Sequence, residues 1–334
     1  MKKLNFILLF RGFCFLSYTL CSASFAEPLD WPKILTESHG DLEVLEGGYT
    51  NEAFILTHQG KKYVVKHLAP NALELGVNRA LEFDFQQSAA ARGLTSSIHH
   101  IDEKKGFYVA DYLDGSSFTS HELHKRENLV SSIRLVKELH KRTRSQSYKI
   151  GSHILARIHK FMKGLRRQNS SHLKDLEHGY KQILALEKDL PQGAYQVAAH
   201  NDLFSANIIH NQGTLKAIDW EYAGWGSPYN DLTLPVVEDF LPNESHDIIL
   251  ETYFGKPTQA QRNLFQKVLV LQRFMVMCWY SVQLSGRLKK NLSQEYQRRY
   301  EKHLEDFQST IEPSAKDSFG DKKAKTRLIK GRTY

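Results

Sequence analysis

Residues 197–231 constrain this chain more than any other stretch. They read VAAHNDLFSANIIHNQGTLKAIDWEYAGWGSPYND. A strand-length apolar run, Tyr195–Ala199, leads into a polar loop carrying His200, Asp202 and Asn207 in the spacing H-x-D-x-x-x-x-N. A second apolar run, Leu215–Ile218, ends on Asp219 and Glu221 at hairpin distance from the first loop. Two adjacent strand ends can thus bring three oxygen-bearing side chains together. Phosphoryl transfer needs these residue types: a carboxylate accepts the proton of a hydroxyl, and an amide and a second carboxylate hold a hard divalent cation against phosphates. On this reading Asp202 is the catalytic base or orients the acceptor hydroxyl, and Asn207 and Asp219 are the Mg²⁺ ligands. His200 is a hydrogen-bonding scaffold of the catalytic loop rather than a proton carrier. Asp231, after the second loop, braces the catalytic-loop backbone.

The chain upstream supplies what such a site requires. Leu42–Gly48, Asn51–His58 and Lys62–Leu68 have strand length and apolar patterning, with turns at Gly47-Gly48 and Gln59-Gly60, and predict an antiparallel meander. Gly47, Gly48 and Asn51 can cover nucleotide phosphates, because glycine lets backbone N–H groups approach closely. Lys66 ends the apolar run of the third strand, where it can contact the phosphates. Glu82, on the helical pattern 77–92, is its candidate ion-pair partner. Ile98–Ile101 and Phe107–Leu113 form a further strand pair. Asp111–Gly115 then falls at a hinge whose backbone groups can bind an adenine ring. Beyond Gly115 the period turns helical, over 129–142, 150–165, 173–190, 246–254, 259–284 and 294–311. Pro313 stops the last of these.

These motifs together resemble the choline/ethanolamine kinase family, within the wider aminoglycoside-phosphotransferase-like group. The resemblance rests on His200-Asn201-Asp202-Leu203 with Asn207-Ile208, on Ile218-Asp219-Trp220-Glu221-Tyr222-Ala223-Gly224, and on Asn230-Asp231-Leu232. Gly47-Gly48-Tyr49-Thr50-Asn51, Asn78-Arg79-Ala80-Leu81-Glu82 and Leu135–His140 extend it, so that it covers roughly residues 40–310. It implies an α+β, bilobal protein-kinase-like fold with a small antiparallel-sheet N-lobe over 27–114 and a mostly helical C-lobe over 115–312. It also implies ATP and Mg²⁺ as cofactors, and phosphate transfer to the hydroxyl of a small cationic amino alcohol. An onium head group needs aromatic faces and nearby carboxylates; Tyr222, Trp225 and Trp279, with Glu221 beside them, are the candidates. Trp279 and Gln283 match half of the family's W-x-x-W-x-x-x-Q helix, while Val276 stands in place of its first tryptophan. Thiamine kinase and aminoglycoside-type phosphotransferase activity are the alternatives among enzymes. A catalytically weak, binding-only relative is the alternative outside them.

Charge excludes one class of partner. The net charge is +8. Residues 1–26 contribute +3 of it and residues 313–334 contribute +5, which leaves 27–312 balanced and argues against nucleic-acid binding. The basic end 313–334 is expected to be a disordered tail. Residues 1–26 combine Lys2 and Lys3, an apolar run broken by Arg11, and small residues at Ser24 and Ala26, the pattern of a signal peptide or anchor. Cleaved, it implies export. Uncleaved, it is the chain's one membrane contact; without either role, the chain is cytoplasmic. The three cysteines, Cys14, Cys21 and Cys278, offer neither a disulfide framework nor a zinc pattern.

Overall fold

The computed structural model describes residues 29–37, 42–45, 52–68, 76–211, 213–286 and 290–311. Residues 1–39 and 40–334 form two units. The first contributes a described helix, α1 (Trp31–Glu37), with Trp31 and Ile34 buried. All that follows belongs to the second. The expected phosphate-covering turn with Gly47, Gly48 and Asn51, the N-terminal segment 1–26 and the basic tail lie outside the described residues.

The expected meander is present. β1 (Leu42–Leu45), β2 (Ala53–His58), β3 (Lys61–His67), β4 (Ile98–Asp102) and β5 (Phe107–Asp111) make an antiparallel sheet in the order β1-β2-β3-β5-β4. In β3, Tyr63 and Val65 are buried on one face, and Lys66 on the other is only 9% exposed. Register sets Lys66 between Ala53 of β2 and Tyr108 of β5. α2 (Arg79–Ala90) starts at Asn78, whose side chain accepts the Leu81 backbone N–H at 3.2 Å. This cap fixes the first turn and so the position of Glu82, which is fully buried.

The connection beyond β5 requires glycine. Gly115 has φ +157°, and a Cβ there would stand 2.1 Å from the His210 carbonyl oxygen. Asn211 Nδ2 donates to the Asp114 carbonyl at 2.6 Å and ties the same connection down. The chain then forms β6 (Ser116–Ser117), α3 (Ser120–Leu123), α4 (Arg126–Leu139), β7 (Thr143–Arg144), β8 (Tyr148–Lys149), α5 (Ser152–Gln168), α6 (Leu173–Lys188), β9 (Gln192–Gly193) and β10 (Gln196–Ala199). β11 (Ile208–Asn211) and β12 (Thr214–Ala217) form the predicted hairpin, followed by β13 (Gly224–Gly226). α7 (Pro228–Glu238), α8 (Glu244–Phe254), α9 (Gln259–Ser285) and α10 (Lys290–Ile311) complete the fold.

α9 runs through the helical part and packs against α5, α6, α7 and α10. It is long and apolar enough to cross a membrane by length and composition, yet 61% of its most apolar window is buried inside the fold, as suits a core helix. α7 has no counterpart among the expected helices. It carries Pro228 at its start and Pro235 inside, and Pro228 through Val237 are all buried, so it shows no amphipathic period.

Candidate active site

The two loops singled out in the sequence are stitched together by short hydrogen bonds. β10 ends in the first loop and the β11–β12 hairpin leads into the second. The Ile218 backbone N–H donates to the Asn207 carbonyl at 3.0 Å, and His200 Nε2 donates to the Ile218 carbonyl at 2.9 Å. Asp231, fully buried at the start of α7, accepts the backbone N–H of His200 at 2.7 Å and that of Asn201 at 2.6 Å. The same carboxylate accepts His140 Nε2 at 2.9 Å, and His140 Nδ1 accepts the Tyr253 hydroxyl at 2.9 Å. Burial alone would raise the Asp231 carboxyl, but its contacts with the His140 ring and with His200, through the backbone N–H, hold it below its usual range. Asn201 and Asp219 both have positive φ, 62° and 64°, a conformation that Asn and Asp tolerate best among side-chain-bearing residues. Each loop therefore turns sharply at the point where its functional carboxylate is presented.

Asn207 Nδ2 donates to the Asp202 carbonyl at 2.7 Å and to Asp202 Oδ2 at 3.2 Å, which turns its amide oxygen away from that contact. Burial drives the Asp202 carboxyl well above the usual carboxylate range. The Arg157 guanidinium opposes this, and Asp219, Glu221 and Glu238 add to the rise. A carboxylate in such a setting holds a proton more strongly than one in water, as an acceptor of a hydroxyl proton must. His200 is buried, and desolvation holds its imidazole neutral despite Asp231 and Asp219 nearby. A neutral ring with Nε2–H on a carbonyl acts as a strut between the loops.

Lys66 and Glu82 require a correction. The Lys66 ammonium forms its ion pair with Asp219, across from β3 to the second loop. Glu82 Oε2 instead accepts Arg79 Nη1 at 2.6 Å from three residues earlier on α2, and Glu82 Oε1 has no hydrogen-bond partner. Lys66 acts on Glu82 only through its field. The reason is local: Arg79 shares the first turn of α2 with Glu82, while the left-handed turn at Asp219 presents that carboxylate to Lys66. Burial opposes charge on both Lys66 and Asp219, yet their mutual attraction keeps the lysine raised and the aspartate lowered. Asp111 also departs from expectation. It ends β5, its backbone N–H donates to the Ser97 carbonyl at 3.0 Å, and its carboxylate pairs with Lys61 and His99, each at 2.8 Å. Its donor and its side chain are spent within the sheet, not on a base-binding hinge.

The residues fit a magnesium–nucleotide complex in donor chemistry. An amide oxygen at Asn207 and a carboxylate at Asp219 are hard ligands on neighbouring strand ends, and Mg²⁺ commonly takes only one or two ligands from protein. Among the described residues, no group of three His, Cys, Asp or Glu forms an all-protein metal cage. A cleft of about 310 Å³ is lined by Glu221, Tyr222 and Trp225 together with Asn78, Arg144 and His153. Asp202 and Asn207 do not line it.

The family model described as the phosphotransferase enzyme family matches residues 41–256. The chain belongs to that family. It is a phosphotransferase with a protein-kinase-like fold. Protein LicA of Haemophilus influenzae is 27% identical over 241 residues, covering 68% of each chain. The ethanolamine kinase of Plasmodium vivax superposes with a TM-score of 0.65 at 17% identity, covering 80% of this chain and 84% of its own. The choline kinase LicA of Streptococcus pneumoniae does so with a TM-score of 0.61 at 20% identity, covering 82% of this chain and 98% of its own.

Around the catalytic loops of this phosphotransferase the aromatic residues are not equivalent. Trp225 packs edge-on to Phe85 at 5.2 Å and carries Arg142 and Arg144 over its ring at 5.2 and 4.9 Å. Tyr222 is 4% exposed and carries Arg157. Trp279, partly exposed on α9, packs with Tyr280 at 5.1 Å and Tyr296 at 5.8 Å. Trp220, between Asp219 and Glu221, is a packing residue. Its ring lies 4.6 Å from that of His200, and its Nε1 donates to Thr95 Oγ1 at 3.1 Å.

Several residues of the phosphotransferase site had no sequence signal of their own. Asp239 accepts the Ser205 backbone N–H at 3.0 Å, a second carboxylate brace on the catalytic loop. Glu238 accepts the Tyr280 hydroxyl at 3.1 Å and faces Arg299. Burial pushes its carboxyl up to about 7. Arg157 reaches the loop from α5. His140 alone had a trace, as the last residue of the Leu135–His140 motif.

Proposed function

We propose that this phosphotransferase moves the terminal phosphoryl group of ATP, with Mg²⁺, to the hydroxyl of a small cationic amino alcohol. The observation that carries the reading is the stitching of Asp202, Asn207 and Asp219 into one corner, with Lys66 of the sheet paired to Asp219. A magnesium ion held by the Asn207 amide oxygen and the Asp219 carboxylate would neutralise phosphate charge. The residues of the chain do the rest. Lys66 brings a positive charge to the phosphates. Asp202 accepts the hydroxyl proton and aims the oxygen, its own carboxylate held by Asn207 Nδ2. Asp231, through two backbone amides, fixes the loop so that no reorganisation is needed at the moment of transfer.

The acceptor class draws support from the 27% identity to Protein LicA, and from the likeness in fold to a choline kinase and an ethanolamine kinase. The carboxylates Glu221 and Glu238, near Asp202, suit a cationic head group. The test is ATP consumption by purified protein with Mg²⁺ against choline, ethanolamine, thiamine and an aminoglycoside. Turnover with one of the two amino alcohols is expected. Turnover confined to thiamine or the aminoglycoside moves the protein to that acceptor class, and no acceptor-dependent turnover refutes the reading.

A further inference from the structure

Arg157 lies on α5 and is 7% exposed. Its guanidinium carbon stands 3.9 Å from the centroid of the Tyr222 ring. Its hydrogen bonding is thin: Nη1 donates to the Asn201 carbonyl at a long 3.4 Å, and the buried Nε–H has no partner. A buried guanidinium ordinarily spends its five donors on oxygen acceptors. Here the aromatic face of Tyr222 is its closest support. Tyr222 lines the cleft, yet it is only 4% exposed and packs with Val77.

This bears on which onium group the site can take. A quaternary ammonium has no N–H and is held by aromatic faces within about 6 Å of the cation. The Tyr222 face already carries a cation, and so does Trp225, under Arg142 and Arg144. Of the three candidate rings this leaves Trp279 alone, because Val276, one turn before it, adds none. A primary ammonium, by contrast, has three N–H donors and is satisfied by carboxylate and carbonyl oxygens. Such oxygens are at hand: Glu221 lines the cleft, and it and Glu238 both act on Asp202.

We propose that Arg157 determines acceptor specificity: by filling the Tyr222 face it disfavours alcohols with a quaternary ammonium and favours those with a primary one. The inference rests on the small cationic alcohol reading of the acceptor. The experiment compares kcat/KM for choline and ethanolamine, with ATP and Mg²⁺, in the wild type, Arg157→Met and Arg157→Lys, with thermal unfolding of each. The wild type is expected to prefer ethanolamine at least tenfold. Arg157→Met, similar in length but uncharged, raises the choline-to-ethanolamine ratio at least tenfold while the KM for ATP stays within twofold. Arg157→Lys, which keeps the charge but not the plane, falls between, and it carries the test if the methionine variant does not fold. A wild type that prefers choline, or a ratio that moves less than threefold in variants that still turn over ethanolamine, overturns the role of Arg157 and leaves the acceptor class standing. A wild type that phosphorylates neither alcohol removes the acceptor reading, and the inference with it.

Discussion

One oxygen of Asp231 accepts the His200 backbone amide at 2.7 Å, and the other accepts that of Asn201 at 2.6 Å. The catalytic loop is thus held from behind by a fully buried carboxylate, which is itself held by His140. Asp231→Asn keeps the shape but replaces one acceptor oxygen with an N–H donor facing an N–H. A loss of about 3 kcal/mol of stability is expected, the scale of breaking a buried charged hydrogen-bond set. Because the loop carries Asp202, kcat should fall by more than the KM for ATP rises. Chemical denaturation and steady-state kinetics on the same preparation check both. Full activity in a destabilised variant would mean that the brace serves folding alone.

Asp202 should show opposite signs in activity and stability. Burial raises its carboxyl pKa, so the folded state disfavours the charged form. Removing the charge relieves a penalty that is present above the raised value and absent below the unfolded one. Asp202→Asn is expected to lose roughly 10²- to 10⁴-fold in kcat, the usual range for a general base, while its melting temperature at pH 8 equals or exceeds that of the wild type. Retained turnover would remove Asp202 from the chemistry. Asp219→Ala should also abolish transfer, but without the gain in stability, since it strips the buried Lys66 of its partner in a partly buried pair.

His303 sets a limit on the acid side. It is 1% exposed, lies between Phe240 at 4.8 Å and Tyr280 at 5.5 Å, and is pushed down to about 3 by burial and by the charges of Arg299, Arg273 and Lys302. The unfolded chain takes up this proton near 6.5. Stability from the neutral ring is therefore complete above about 6.5 and is lost as pH falls toward 3. Denaturation midpoints measured from pH 7.5 to pH 4.5 should fall more steeply for the wild type than for His303→Phe, which keeps the ring stacking and cannot titrate. Parallel curves would refute the assignment.

The fold was legible where local pattern and burial agree. The meander, the helical pattern that became α2 and the β11–β12 hairpin each show a period or a turn that needs no distant partner. α7 was hidden because it is buried all round and holds two prolines. In the site, the loop residues could be read because their spacing along one chain fixes their geometry. The partners of Lys66 and Glu82 could not, because a choice between two carboxylates depends on the left-handed turn at Asp219 and on Arg79 one turn away. The positions of Arg157 and Asp239 depend on how helices pack against the loop, and no sequence spacing records that.

Trp225 and Trp279, both candidates for the acceptor site, are separable by experiment. Trp225 is committed to Phe85, Arg142 and Arg144, and Arg142 Nη2 pairs in turn with Asp84 of α2 at 2.8 Å. Truncating it removes a packed, partly buried ring that joins β13 to α2 and lies under two guanidiniums, so Trp225→Ala should cost about 3 kcal/mol in stability. Its effects on the two substrates should be of similar size. Trp279 is partly exposed, beside Tyr280, whose hydroxyl donates to Glu238. Trp279→Ala should leave the KM for ATP within about twofold and raise that for the acceptor alcohol about tenfold or more, as loss of roughly 1.4 kcal/mol of binding would do. If both KM values rise together in Trp279→Ala, that ring is packing like Trp225, and the head group of the acceptor is held elsewhere.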